Sequence, residues 1–294
     1  MWQARVMWPS PGEDADSYLL AKMSAENGAY LGPMGVAAFG SGVLTIIFTT
    51  PQIVNLSQQS NLPLPKSDIS IFKKHGRNIF KRAIATQTLN KIIHFGSVRF
   101  VKQQFDKLPG GGLGKYNLNV AYGLIAVPVQ AWAYNSLNAD VFQYFGQSKP
   151  AQGSFLQLAS EFFRTKIRPG FFWNFLRDSN SVGGGLILGP IFAAKIAAMR
   201  RHGDQGDGAS PTKPERLVGG LFAGIICGLG TQMFHNAALT AGRAAVLGTH
   251  LGTIGCMKRL WLENGFQCVF QGYQYRVAVI AGMSALLNLC EPFK

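Results

Sequence analysis

The polarity of this 294-residue chain alternates between long uncharged runs and shorter polar links. Residues 27–65 contain no Asp, Glu, Lys or Arg, and 35–54 form their most apolar part. Residues 116–139 are also uncharged, and 217–242 carry one histidine and no formal charge. Each run supplies the roughly twenty mostly apolar residues that a membrane helix requires. Three further runs carry polar marks. Residues 83–101 include Lys91 and Arg99, 171–194 include Arg177 and Asp178, and 277–290 are apolar but short unless extended back to Tyr273. The pattern predicts an all-α membrane protein with six transmembrane helices, clean and polar-marked in turn.

At about 100° per residue, Lys91, Arg99 and Lys102 fall within roughly 80° of one another on one helix. A cationic stripe of that kind faces a bundle interior, water or a partner, because lipid exposure costs several kcal/mol. The alternative leaves Lys91 alone in the membrane, with Arg99 and Lys102 reaching out at its end.

The clean helices begin near 30, 117 and 217, a spacing of roughly a hundred residues that predicts internal repetition. A polar stretch, a short amphipathic segment with glycine and a second membrane helix follow each one. The first link contains Phe72-Lys73-Lys74-His75-Gly76 and Phe80-Lys81-Arg82. The second contains Glu161-Phe162-Phe163-Arg164 and Ile167-Arg168-Pro169-Gly170, and the third Leu262-Glu263-Asn264-Gly265 and Phe270-Gln271-Gly272. The chain therefore divides into a polar extension, 1–27, and three units at 28–108, 109–199 and 200–294. Gly220, Gly224 and Gly228 recur every four residues, which lines one helix face with small residues and permits close crossing.

Composition agrees with a membrane setting. Charged residues make up 14% of the chain against the roughly 25% of soluble domains, and glycine is abundant at 35 residues. The net charge of +14 resides in links that flank uncharged runs, which suits anionic lipid head groups rather than nucleic acid. Cys227, Cys256, Cys268 and Cys290 form no CxxC pair and no histidines sit at ligand spacing, so no metal site is expected. They read as small core residues in a reducing compartment. Residues 1–27 hold Glu13, Asp14, Asp16 and Glu26 and lack an apolar stretch, so they read as a retained extension rather than a cleaved leader. Gly110-Gly111-Gly112-Leu113-Gly114-Lys115 is no phosphate loop, since Tyr116 stands where Ser or Thr is needed and no strand precedes it. Without paired carboxylates, a nucleophile–base set or a metal cluster, no catalytic residue is expected and the chain does not read as an enzyme.

Taken together, the three links, the Arg177-Asp178 pair after Gly170, Ser41-Gly42 ahead of Pro51, Ala223-Gly224 and the closing Cys290-Glu291 resemble the mitochondrial carrier family. The resemblance covers about residues 28–294. It implies six transmembrane helices in three pseudo-symmetric repeats with short matrix-side amphipathic helices, a multi-pass protein of the mitochondrial inner membrane. It also implies bound cardiolipin or another anionic phospholipid as the only bound group, with Gly76, Lys81, Gly170, Gly265 and Gly272 at the lipid sites; glycine steps at helix N-termini suit anionic phosphates.

Family members carry Pro-x-Asp/Glu-x-x-Lys/Arg at the end of each odd helix, where the charges pair to close the matrix side. This chain departs from that pattern throughout. The first copy has Pro51, Ile53 and Leu56; the second has Pro128, Gln130 and Ala133; the third lacks proline and has His235 at the acidic position by spacing from Gly224. Ion pairs can exchange pairing for hydration, whereas Ile53 and Leu56 favour burial in every state. Replacing buried pairs by apolar groups favours one packing arrangement, and alternating access needs two of nearly equal energy. The alternative is a neutral, hydrogen-bonded gate of Gln130, His235 and Asn236. Lys91, Arg177 and Asp178 are the candidate cavity residues, although Arg177 also has a local partner available in Asp178.

The lost gate charges lead to the expectation of a carrier-fold protein that no longer transports and serves as an accessory subunit of a large membrane complex; the resemblance, rather than any residue, implies a respiratory-chain complex, cytochrome c oxidase or a supercomplex. Its partners would be membrane lipid and the protein subunits of that complex, with no nucleic acid. The competing expectation is an active carrier exchanging a small anionic metabolite.

Overall fold

The computed structural model describes residues 15–58, 68–105, 113–143, 155–201 and 210–290. Among these residues the fold is all helical, with no strand. The elements are α1 (Ala15–Gln58), α2 (Asp68–Phe105), α3 (Leu113–Gln143), α4 (Phe155–Phe162), α5 (Phe171–Arg201), α6 (Lys213–Gly230), α7 (Gln232–Val246), α8 (Thr253–Asn264) and α9 (Tyr273–Cys290). A π-helical turn, Phe163–Ile167, leads from α4 towards α5, and a 3-10 turn, Gly265–Val269, leads from α8 towards α9.

The long helices close into a ring in chain order: α1 packs on α2, α2 on α3, α3 on α5, α5 on α6, α6 on α9, and α9 back on α1. Helix α7 turns inward and packs against α3 and α5, with α1 also within reach. Small residues set the closest contacts. A Cβ on Gly220 would lie 2.7 Å from the Ser284 carbonyl oxygen, and one on Gly224 would lie 2.7 Å from the Ile280 carbonyl oxygen, both on α9. On α5's side, a Cβ on Gly219 would lie 2.6 Å from the Ala193 nitrogen. The glycines thus allow α6 to seat between α5 and α9 with backbones nearly touching.

Two apolar clusters fill the ring. One gathers Ile46, Ile53, Val54, Leu137, Val141, Phe142, Leu239 and Leu260 towards the end where α7 turns in. The other gathers Ala37, Ala38, Phe95, Cys227, Val279, Ile280 and Met283. Large apolar side chains such as Val36, Phe39, Phe222 and Ile226 are exposed on the outside. Among the described residues, Gly32–Asn55 is long and apolar enough to cross a membrane. Helices α6 and α7 pass the same test only together, bent by 59° at their junction.

That junction corrects the expectation of one straight helix over 217–242. No proline is present; Thr231 instead closes α6, its Oγ1 donating to the Cys227 carbonyl at 2.7 Å. The start of α6 is well marked: Thr212 and Glu215 form a capping box with Pro214 in the first turn. The first link also differs from expectation, because α2 runs unbroken from Asp68 and Gly76 lies inside it. The second and third links do break, and they break alike. Each ends on a glycine with positive φ, Gly170 at 66° and Gly272 at 69°, and a long helix begins at the next residue. Only glycine adopts that conformation at little cost.

Candidate functional site

The ring encloses a buried polar centre. Tyr134 of α3 stands in its middle, with the Arg177 guanidinium 4.4 Å from the ring centroid and the Lys91 ammonium 5.7 Å away. His235 meets the same ring edge-on at 5.6 Å. Arg177 is 0% exposed and Lys91 1%. Arg177 forks onto the neighbouring Asp178, Nε to Oδ1 at 2.7 Å and Nη2 to Oδ2 at 2.8 Å. The local pair weighed in the sequence is thus present, and Arg177 also faces the centre. A third cation, Arg276 of α9, is buried and reaches Ser181 Oγ at 3.4 Å and Thr231 Oγ1 at 3.5 Å. Its Nε is buried with no acceptor. Among the described residues, Lys91, Arg177 and Arg276 thus share the buried interior with one carboxylate paired to them, Asp178, and these four groups sum to excess positive charge. The side chains of Arg99 and Lys102 lie outside the described residues.

A chain of hydrogen bonds runs outward from this centre. Arg177 Nη1 lies 3.2 Å from His235 Nδ1. Arginine only donates, so Nδ1 accepts and the ring proton sits on Nε2. His235 Nε2 then donates to Gln52 Oε1 at 3.1 Å, and Gln52 Nε2 donates to Asn236 Oδ1 at 2.9 Å. Asn236 Nδ2 ends the chain on the Cys268 and Gln271 carbonyls, each at 3.0 Å. Gln232 adds a second donor to Asn236 Oδ1 at 3.0 Å and bonds the Gln271 carbonyl as well. These contacts join α5, α7, α1 and the turn before α9. Between α2 and α3 a second set repeats the theme. Asn90 donates to Gln130 Oε1 at 3.1 Å, Gln130 Nε2 bonds His94 Nδ1, and Gln87 donates to the Ala133 carbonyl at 2.9 Å.

The gate positions divide accordingly. Gln130 and His235 lie in polar networks, Ile53 lies in the apolar cluster, and Ala133 contributes its carbonyl. Pro51 and Pro128 lie inside α1 and α3. The Leu56 side chain lies outside the described residues. Sequence reasoning passed over Gln52, Asn90, His94 and Arg276. Gln52 adjoins the first gate position, and Asn90 and His94 share the Lys91 face of α2, so their helical spacing held the signal. Arg276 stands just ahead of the short sixth run, 277–290, within its extension back to Tyr273.

Outside the bundle, a cavity of about 370 Å³ opens beside the second link. Arg164, Arg168, Gly170, Trp173, His250 and Thr253 are among its lining residues. The starts of α5 and α8 both border it, and helix N-termini present backbone N–H groups to anions. Trp173 braces it, donating from Nε1 to the Thr253 carbonyl at 3.1 Å and stacking on Phe234 at 6.0 Å between centroids. Gly170 thus takes the place expected of it, and Gly272 likewise precedes α9. Gly265 instead follows α8 at its C-terminal end, where N–H groups do not point outward, and Gly76 lies mid-helix with Lys81 exposed on the same helix. For those two glycines the expected helix-start geometry is corrected.

Charges around the links are arranged for structure. Burial pushes the Asp140 carboxyl up, against the pull of Lys166 and Arg82, and burial pushes Lys166 down against the pull of Asp140. Glu263 bridges Arg243 of α7 at 2.8 Å and Arg259 of α8 at 2.7 Å. Burial raises its carboxyl, but these two hydrogen-bonded guanidinium groups outweigh burial and hold it below the usual carboxylate range. Among the described residues no group of three His, Cys, Asp or Glu side chains is placed to hold a metal. Comparison with protein-family models gives no match for this chain, and comparison with curated proteins gives none.

Proposed function

We propose that this chain is a carrier-fold protein of the mitochondrial inner membrane that has lost transport and serves as a structural subunit of a larger membrane complex, a respiratory-chain assembly such as cytochrome c oxidase or a supercomplex. In this reading six helices cross the membrane in three related units, and α4 and α8 lie on the matrix side. The closed order of the long helices and the like breaks at Gly170 and Gly272 support that arrangement. One observation carries the loss of transport. The positions where carriers hold a switchable ring of ion pairs hold Ile53, Gln130, Ala133 and His235; Ile53 packs in the apolar cluster, while His235 bonds Gln52 of α1 and Gln130 bonds Asn90 of α2 without a charged partner replacing the lost pairs. Without a ring of charges to pair in one state and hydrate in the other, these positions build no second state of nearly equal energy, and in this reading the bundle rests in one. The cavity lined by Arg164, Arg168 and Gly170 takes an anionic phospholipid such as cardiolipin.

A second reading, exchange of a small anionic metabolite, is favoured by the excess charge of Lys91, Arg177 and Arg276 over Asp178 at the buried centre. Buried cations in such excess call for a counter-anion. Reconstitution into liposomes separates the two. No uptake of labelled nucleotides, keto acids or amino acids above protein-free vesicles, with stoichiometric co-purification in a respiratory complex after mild extraction, supports the structural reading. Uptake abolished by Lys91→Ala or Arg276→Ala overturns it in favour of exchange.

A further inference from the structure

The turns before Gly170 and Gly272 are held by the same device. Asn135 Nδ2 of α3 donates to the Lys166 and Pro169 carbonyls at 2.9 and 3.1 Å. Asn236 Nδ2 of α7 donates to the Cys268 and Gln271 carbonyls at 3.0 Å each. In both turns the acceptors are the fourth and the first residue before the positive-φ glycine. Both asparagines are buried, at 2% and 0% exposure. One amide thus satisfies two carbonyls that the departure from α-helix leaves over, and fixes how the next helix sets out.

The Asn135 turn also borders the cavity beside α8, through Pro169 and Gly170. Lys166 completes the joint by donating from Nζ to the Asn135 carbonyl at 3.5 Å. Helix α7 closes over it with no space to spare. A Cβ on Gly170 would lie 2.9 Å from Ala238 Cα, and one on Gly242 would lie 2.8 Å from Asn138 Nδ2 and press against the Asn135 amide. The turn that shapes one wall of the cavity is therefore wedged between α3 and α7.

We propose that Asn135 is a positioning residue that couples the cavity between α5 and α8 to the packing of α3 against α7. It holds the start of α5 at the cavity wall, and a phosphate group bound there tightens the α3–α7 contact in return, as linkage requires. This rests on the reading of the cavity as an anion site. The phosphate comes from a phospholipid headgroup or from free phosphate.

The test compares full-length wild type and Asn135→Ala in phosphatidylcholine nanodiscs, alone, with cardiolipin, or with inorganic phosphate. The readout is the ligand-dependent rise in Tm, which a purely structural role of Asn135 would leave unchanged even if Tm itself fell. The rise in N135A is expected to drop below half that of wild type in whichever arm stabilises wild type, and that arm identifies the source. A full rise in N135A overturns the coupling alone, and no rise in wild type in either arm overturns the anion site and the coupling with it. Where N135A does not fold, hydrogen exchange of wild type decides. Ligand-induced protection reaching α3 around Asn135 and α7 around Ala238 supports the coupling, and protection confined to the start of α5 overturns it.

Discussion

Gln52 of α1 and Asn236 of α7, 184 positions apart, share a buried hydrogen bond of 2.9 Å. Gln52 also accepts from His235, and Asn236 passes the connection to the turn before α9. One neutral side chain thereby ties the first apolar helix to the inward-turned α7. Gln52→Ala leaves the His235 Nε2 proton without its acceptor, and a buried orphaned donor costs about 1–3 kcal/mol. Thermal unfolding in detergent should show a lower Tm for Q52A, and an unchanged Tm would mean that the bond contributes nothing to closure.

Restoring an acidic residue at the first gate position should not restore a gate. Ile53 belongs to the apolar cluster with Val54, Tyr134, Leu137 and Ala237, so Ile53→Glu puts a carboxylate among apolar side chains. Burial of an uncompensated charge costs several kcal/mol, and loss of folded protein is expected. Size-exclusion yield measures it, and a well-folded I53E that gained solute uptake would contradict the single-state reading.

Asp178 is ion-paired with the buried Arg177, Oδ1 to Nε at 2.7 Å. Removing one member of a buried pair costs about 3–5 kcal/mol, whereas replacing both by apolar groups of similar volume is often neutral. Asp178→Asn is therefore expected to destabilise strongly, and R177M/D178L to recover most of the loss. Unfolding midpoints of wild type and the two variants measure the difference, and equal losses in the single and the double variant would refute the pairing account.

Two glycines of the α6 region should respond with opposite sign. Gly224→Ala drives a methyl against the α9 backbone, 2.7 Å from the Ala281 nitrogen, and overpacking costs about 1–3 kcal/mol. Gly230→Ala meets nothing within 4 Å at the end of α6 and gains up to about 1 kcal/mol in helix propensity. Chemical denaturation of both variants supplies the comparison.

Glu263→Gln should show a pH-dependent loss. The carboxyl is held below its usual range in the folded protein, so its contribution is full above the unfolded value of 4.5 and is lost as pH falls through the lower folded value. At neutral pH the loss is about 1–2 kcal/mol, reduced from the buried-pair range by solvent screening of the partly exposed carboxylate. Stability of wild type and E263Q should converge in strong acid; a gap independent of pH would assign the effect to packing.

Much of the helical content was legible in the uncharged runs, because burial of an apolar stretch of spanning length leaves a local and periodic record. The small-residue face of α6 was equally legible, since Gly220 and Gly224 mark a close contact whatever lies opposite. The connector glycines were legible only in part. Gly170 and Gly272 precede helices as expected, but Gly76 continues one and Gly265 ends one, and a glycine in a link does not reveal the sign of its own φ.

Run lengths, helical class, basic links and the absence of charge at the gate positions can all be read from the order of residues. The continuity of α2, the break at Thr231 in the helix after Thr212, and the inward turn of α7 to meet Gln52 emerge only once the helices pack. The same packing brings Arg276 into the buried interior with Lys91, Arg177 and Asp178, and sets Asn135 and Asn236 on matching turns. The physical reason is one of range. Apolar burial is recorded within a helix at its own period, whereas a buried polar group is satisfied by a partner on a neighbouring helix. That neighbour is chosen by the closure of the ring.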